Sequence, residues 1–302
     1  MNFLRNLSTR KKILLADMSI LFSAMLWGGD YIVAKRALEV IPPGFMNAIK
    51  FSICALIMLL FLWKRIKKMS AGDFFVGFIT GAMMFGGFIG ETTGLKYTTV
   101  GNNAFITSAY VIVVPFMAWI LTKERPKTNS FVAVLLTVLG IAFLTLQGSF
   151  SISKGDGITL MGALFFGLEL ALLGKYAKKM DVLILAFLEA AVAGILFWIY
   201  AFSFETVHVI WSRDLILSMA YITFFGSVIT HITVTVALKY TTSSRGAVLC
   251  ATEALFAVFL AAIFLGERLY LKGWIGSALV LSAVLVAELG GSLFRGKSSH
   301  SQ

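Results

Sequence analysis

Leu95-Lys96-Tyr97-Thr98-Thr99 returns as Leu238-Lys239-Tyr240-Thr241-Thr242, 143 residues further along the chain. At the same offset and without a gap, Ala104 falls on Ala247, Phe116 on Phe259, Ala118 on Ala261, and Glu124-Arg125 on Glu267-Arg268. Five contiguous identities followed by a charged dipeptide in register mark an internal duplication, not a chance likeness of apolar sequence. A duplicated half inside a membrane chain is the pattern of carriers built from two repeats.

The composition places the chain in a membrane. Of 302 residues, 59% are hydrophobic and 14% charged, with a mean hydropathy of +0.89. A soluble domain carries about 25% charged residues. The 27 Phe and 27 Gly suit lipid-facing aromatics and close helix approach. A net charge of +11 raises nucleic acid as a partner, but the basic residues sit in short loops, as membrane proteins place them, and no nucleic acid is expected. Cys54 and Cys250 both fall in apolar runs, so neither a disulfide framework nor a metal site is expected. Nothing in the sequence calls for a cofactor.

A span needs about 20 apolar residues. Ten runs fit, at 13–35, 44–63, 74–95, 99–122, 129–147, 157–175, 182–203, 214–237, 244–265 and 272–293. Short connections leave no room for a soluble domain. The first run contains Asp17 and Asp30 and is too long for a signal peptide, so it reads as a retained helix. With the N-terminus inside, 18 of the 26 Lys and Arg lie in or next to cytoplasmic segments and 7 in or next to outer loops, Lys50 alone lying well inside a span. Both termini are therefore expected in the cytoplasm. The expected fold is all-α and integral to the membrane, with five-helix repeats at 13–148 and 156–293 and tails at 1–12 and 294–302. Five is odd, so the second repeat enters from the opposite side and the repeats are inverted.

Trp27-Gly28-Gly29 ahead of an exposed-looking Lys35, Gly94-Leu-Lys-Tyr-Thr-Thr99, Pro115 inside the fourth span, and Gly266-Glu-Arg268 closing the ninth make up a resembling set. Together with ten spans and two repeats, they resemble the EamA-type branch of the drug/metabolite transporter superfamily over nearly the whole chain. The resemblance implies a bacterial inner-membrane carrier of ten helices in two inverted bundles, of a kind that often exports amino acids or related metabolites. The family's usual Arg in the second span corresponds to Lys50, which keeps the charge but not the bidentate geometry. Its common Pro after the ninth-span Glu is replaced by Ala254.

Ionisable groups inside a bilayer are costly and face a cavity or a partner. Those well inside the spans are Asp30, Lys50, Glu91, Glu169, Glu189, His231 and Glu253. Asp30 and Lys50 lie at similar depth, about 9 Å below the outer boundary at 1.5 Å per residue. They form either an ion pair that registers two helices, or a site in which Lys50 receives a substrate carboxylate while Asp30 keeps it charged. An offset of 139 places Asp30 on Glu169, and Glu189 stands near the position equivalent to Lys50. Glu169 and Glu189, with His231 at similar depth, are candidates for proton coupling, because two nearby carboxylates do not both ionise cheaply. The alternative for His231 is a neutral ring bonded to a backbone carbonyl. Glu91 is either a further coupling candidate or a group solvated at the interface.

Glu253 falls near the midplane and pairs at offset 143 with Tyr110, so these two are the leading substrate contacts. Trp27 either lines the path or anchors at the boundary. Gly77, Gly81, Gly86, Gly90 and Gly94 form a small-residue seam on the third span. Pro115 is expected to kink the fourth span. The Glu-Arg pairs at 124–125 and 267–268 read as helix-end ion pairs or gates.

The functional expectation is a secondary carrier for a small amine-bearing metabolite such as an amino acid, working outward by alternating access. Export of cationic drugs or polyamines is the alternative, favoured by the excess of buried acids. A lipid-modifying membrane enzyme is remote, since no nucleophile, metal-ligand or glycine-loop pattern is present.

Overall fold

The computed structural model describes residues 8–123, 125–126, 128–145, 153–264 and 271–293, and among them all regular structure is helical. The helices are α1 (Thr9–Ala37), α2 (Pro43–Ile66), α3 (Ala71–Tyr97), α4 (Val100–Thr107), α5 (Tyr110–Thr122), α6 (Thr128–Thr145) and α7 (Lys154–Tyr176). They continue as α8 (Val182–Phe204), α9 (Arg213–Thr223), a π segment (Phe224–Ile229), α10 (Thr230–Ala237), α11 (Ser243–Cys250), α12 (Glu253–Phe264) and α13 (Leu271–Leu293).

Eight segments are long and apolar enough to cross a membrane, and Thr128–Phe143 and Trp274–Val286 are shorter apolar helices. The protein is a multi-pass helical membrane protein. Glu124, Glu267 and Arg268 lie outside the described residues, as do residues 1–7 and 294–302 of the two tails.

Three of the expected runs are interrupted. The run at 99–122 is two helices, α4 and α5, and the run at 244–265 is α11 and α12. The two breaks share one backbone pattern. Ala109 N and Val111 N bond back three residues, to Ile106 O and Ser108 O, and 143 residues later Thr252 N and Ala254 N bond to Leu249 O and Ala251 O. Proline is not the common cause: Pro115 lies beyond the first break, and its counterpart at offset 143 is Val258. Each break instead carries a hydroxyl bonded to a carbonyl of its own turn. Ser108 Oγ donates to Ala104 O at 2.8 Å, and Thr252 Oγ1 to Leu249 O at 2.6 Å. Such back-bonding bends helices. In the run at 214–237 the interruption is the π segment around Gly226, which widens the turn.

The main packing pairs join the two halves of the sequence: α3 with α7 and α8, α2 with α8, α5 with α7, α6 with α13, and α1 with α10 and α12. Glycines set the closest of these. A Cβ on Gly90 would lie 2.6 Å from the Gly162 backbone. Gly77 and Gly81 face Leu188 and Val192 of α8, while Gly86 and Gly94 face Phe165 and Thr159 of α7. The seam on the third span thus serves two neighbours. Gly28 meets Phe256 and Gly167 meets Val113, one contact repeated in both halves.

Candidate functional site

The broken spans and the π segment surround one cavity. Helical spacing aims the wall residues into it. α1 contributes Trp27, Asp30 and Tyr31, α3 contributes Phe88, Glu91 and Thr92, and α7 contributes Phe166, Glu169, Leu170 and Leu173. Lys50 enters from α2, and Ser227, Thr230 and His231 enter from the π segment and α10. Tyr110 and Glu253 are the first residues of α5 and α12, immediately after the two breaks. Tyr110 Oη donates to Glu253 Oε1 at 3.3 Å. Glu253 also sits where the dipole of α12 favours negative charge.

Asp30 and Lys50 share this cavity without pairing. Among the described residues, no ion pair within 4.0 Å joins them. The Lys50 ammonium rests 4.0 Å from the Phe88 ring centroid and 5.0 Å from that of Phe51. Lys50 is 1% exposed, and cation–π contact of this kind is worth about 2 kcal/mol when desolvated. The Asp30 carboxylate is turned instead against Gly226, where a side chain would have no room. Its Oδ1 has no partner. The π segment is the physical reason: it brings the Gly226 backbone up to α1, where Trp27 Nε1 donates to Gly226 O at 3.0 Å and Tyr221 Oη to Leu26 O at 3.2 Å. Trp27 is therefore a wall residue held by α1–π contact.

The second carboxylate group is split between wall and interior. Glu169 lines the cavity, but Glu189 does not. Glu189 is fully buried on α8 behind His231, with its carboxyl beside that of Glu169. The His231 ring stands between, with Nε2 3.0 Å from Ala186 O and 3.4 Å from Glu189 Oε2. His231 thus makes the backbone contact that was one of its two readings. Glu91 lines the cavity.

Several supports carried no sequence signal. Asn47 Nδ2 donates to Thr92 Oγ1 at 2.9 Å and ties α2 to α3 beside Lys50. Asn103 Nδ2 donates to Thr159 Oγ1 at 2.7 Å and to Glu91 O at 3.1 Å, joining α3, α4 and α7. Lys35 is half-buried, not exposed, and its Nζ donates to Leu95 O at 2.6 Å and Thr98 O at 2.8 Å. It closes the carbonyl end of α3. The aromatic seat of Lys50, Phe51 and Phe88, was legible only as two more phenylalanines among 27.

A multi-pass helical bundle with ionisable side chains gathered in a cavity at interrupted helices has the architecture of a membrane transporter. The chain belongs to the EamA-like transporter family, whose model matches residues 14–146 and 153–288. It is 33% identical to an uncharacterized transporter of Archaeoglobus fulgidus, over 92% of this chain and 87% of that one. It is 23% identical to the uncharacterized inner membrane transporter YicL of Salmonella typhimurium, over 93% and 96%. A solved crystal structure with 16% identity superposes with a TM-score of 0.76, covering 94% of this chain and 99% of that chain, and so shares the fold.

Proposed function

We propose that the protein is a secondary carrier of the cytoplasmic membrane that exports a small amine-bearing metabolite, with an amino acid as the class of substrate. The observation that carries this reading is the pair of unsatisfied opposite charges in one cavity. Lys50 is held by rings, and an oxygen of Asp30 is left without a partner. A zwitterion satisfies both. Its carboxylate meets the ammonium of Lys50, and its amine meets Asp30 or the Glu253–Tyr110 pair, with Trp27 as an apolar wall.

The proposed architecture is ten transmembrane helices in two inverted repeats, 13–148 and 156–293, with both termini in the cytoplasm. The matched hydrogen-bond breaks and the matched glycine contacts support the repeat, and the distribution of Lys and Arg supports the orientation. The two halves would rock about the midplane cavity. Coupling to protons would run through Glu169 and Glu189, with His231 between Glu189 and the cavity and Glu91 as a further carrier. Two carboxylates that face one another repel when both are ionised, so the pair favours holding one proton.

Counterflow in proteoliposomes tests the substrate class, with labelled amino acids and labelled cationic amines offered to wild type and to Lys50→Ala. Amino-acid exchange that disappears in the variant is the expected result. Exchange of cations alone, kept or improved in Lys50→Ala, would overturn it in favour of a cationic drug or polyamine exporter. The four carboxylates on the wall, Asp30, Glu91, Glu169 and Glu253, favour that second reading.

A further inference from the structure

A second cleft lies at the end of the bundle where α5 and α7 terminate and α11 begins. Its floor is the start of α11, Thr242 to Arg245, and Arg125 and Lys178 reach it from the ends of α5 and α7. Thr242 caps the helix through Oγ1, which accepts from Arg245 N at 3.3 Å. The N–H groups of Ser243 and Ser244 then have no intrahelical acceptor, as at any helix start. The same two residues supply an independent observation. Their side chains are 9% and 8% exposed, line the cleft, and have no hydrogen-bond partner among the described residues. Gly174 lets α7 pass directly against Ser243, which fixes that hydroxyl at the floor.

The charges of Arg125 and Lys178 are also unspent. Arg245 is bonded through Nη2 to Asp17 of α1 at 2.5 Å. Arg125 and Lys178 are exposed and join no ion pair among the described residues, although the Arg125 guanidinium lies 5.5 Å from the Trp119 ring centroid. Stacking on an indole leaves the N–H edges of a guanidinium available. Two buried hydroxyls, two free backbone N–H groups at a helix N-terminus and two cations facing them are the donors a tetrahedral oxyanion requires.

We propose that this cleft binds a phosphate group, separate from the transport cavity. The cleft lies at helix ends, the depth of a headgroup, so the phosphate belongs to an anionic phospholipid or to a soluble phosphate ion. Either occupant bridges the two sequence halves through Arg125, Lys178 and the start of α11. Occupancy therefore favours the arrangement described here, with this end of the bundle drawn together.

The test is thermal unfolding of delipidated protein in a neutral detergent, read as a half-saturating concentration. One arm titrates inorganic phosphate against chloride at constant ionic strength. The other titrates phosphatidylglycerol against phosphatidylcholine in mixed micelles. A saturable stabilisation is expected, weakened about tenfold for each charge-assisted contact removed in Arg125→Gln and Lys178→Gln. Both substitutions are at exposed positions, and each response is read against that variant's own unliganded midpoint. Ser243→Ala/Ser244→Ala is expected to weaken it as well, and if that variant fails to fold the charge variants decide alone. Saturation by lipid only assigns the headgroup, by phosphate only the soluble ion, and by both the phosphate moiety itself. The proposal is overturned if neither ligand saturates, or if Arg125→Gln/Lys178→Gln responds as wild type does. It is also overturned if an exposed pair at the opposite end of the bundle, Lys96→Gln/Arg213→Gln, weakens the response equally, since that is general charge attraction.

Discussion

Gly90→Ala tests whether the cavity wall depends on the close approach of α3 and α7. The new Cβ would lie 2.6 Å from both Cα and N of Gly162 and 3.0 Å from Ile158 O. Carbon atoms in ordinary contact stand about 3.5–4.0 Å apart, so α3 and α7 must separate by about 1 Å. All three obstructing atoms are backbone, and no rotamer change relieves them. Overpacking of this kind costs about 1–3 kcal/mol, and a backbone obstacle puts this site at the upper end. For a bundle of this size 3 kcal/mol corresponds to about 6 °C or more in melting midpoint. Phe88, Glu91 and Thr92 ride on α3, so substrate exchange is expected to fall as well. Gly157→Ala is the matched control, since a Cβ there has nothing within 4 Å, and an alanine gains up to about 1 kcal/mol in helix propensity. Melting of both variants in detergent, alongside counterflow, makes the comparison. A Gly90→Ala protein that melts within about 1 °C of wild type would refute the argument.

α2 starts at Pro42-Pro43 with no side-chain cap of its own, and Glu205 accepts from Gly44 N at 2.8 Å and Phe45 N at 2.9 Å instead. Glu205→Ala is therefore expected to destabilise the protein by about 1–2 kcal/mol, with Glu205→Gln less harmful, as thermal melting will show. The Arg65–Asp181 pair, at 2.9 Å with side chains 45% and 39% exposed, should contribute under about 1 kcal/mol. A double-mutant cycle with Arg65→Gln should find that contribution gone at high salt. Glu189→Gln removes one member of the facing carboxylate pair. Transport measured across the pH range should lose its pH dependence, and an unchanged profile would separate Glu189 from coupling.

The class of the protein was legible in the sequence because hydropathy and repetition are local properties. A run such as 182–203 has no charged residue except Glu189, and its helix is observed at Val182–Phe204. The repeated Leu-Lys-Tyr-Thr-Thr gave the offset that places Tyr110 on Glu253, and the structure puts these two side chains 3.3 Å apart. Depth estimates brought Asp30 and Lys50 to one level. They did not show that the two remain apart, because that depends on a π segment with no pattern of its own and on which rings happen to stand beside Lys50. Glu189 was grouped with Glu169 by depth along the helix alone. Rotation about α8 takes it behind His231, and that rotation is set by packing against α2 and α3.

The sequence by itself determined membrane insertion, the duplication and the identities of the buried charges, because these follow from local composition in lipid and from repetition along the chain. Tertiary structure alone decided which charges meet. Asp30 faces Gly226, Lys50 lies on Phe88, His231 shields Glu189, and Arg245 reaches Asp17 across 228 positions of sequence. The physical reason is that a side chain's partner is chosen by helix rotation and close approach. Those are fixed by glycine contacts and interrupted hydrogen bonding between segments far apart in the chain.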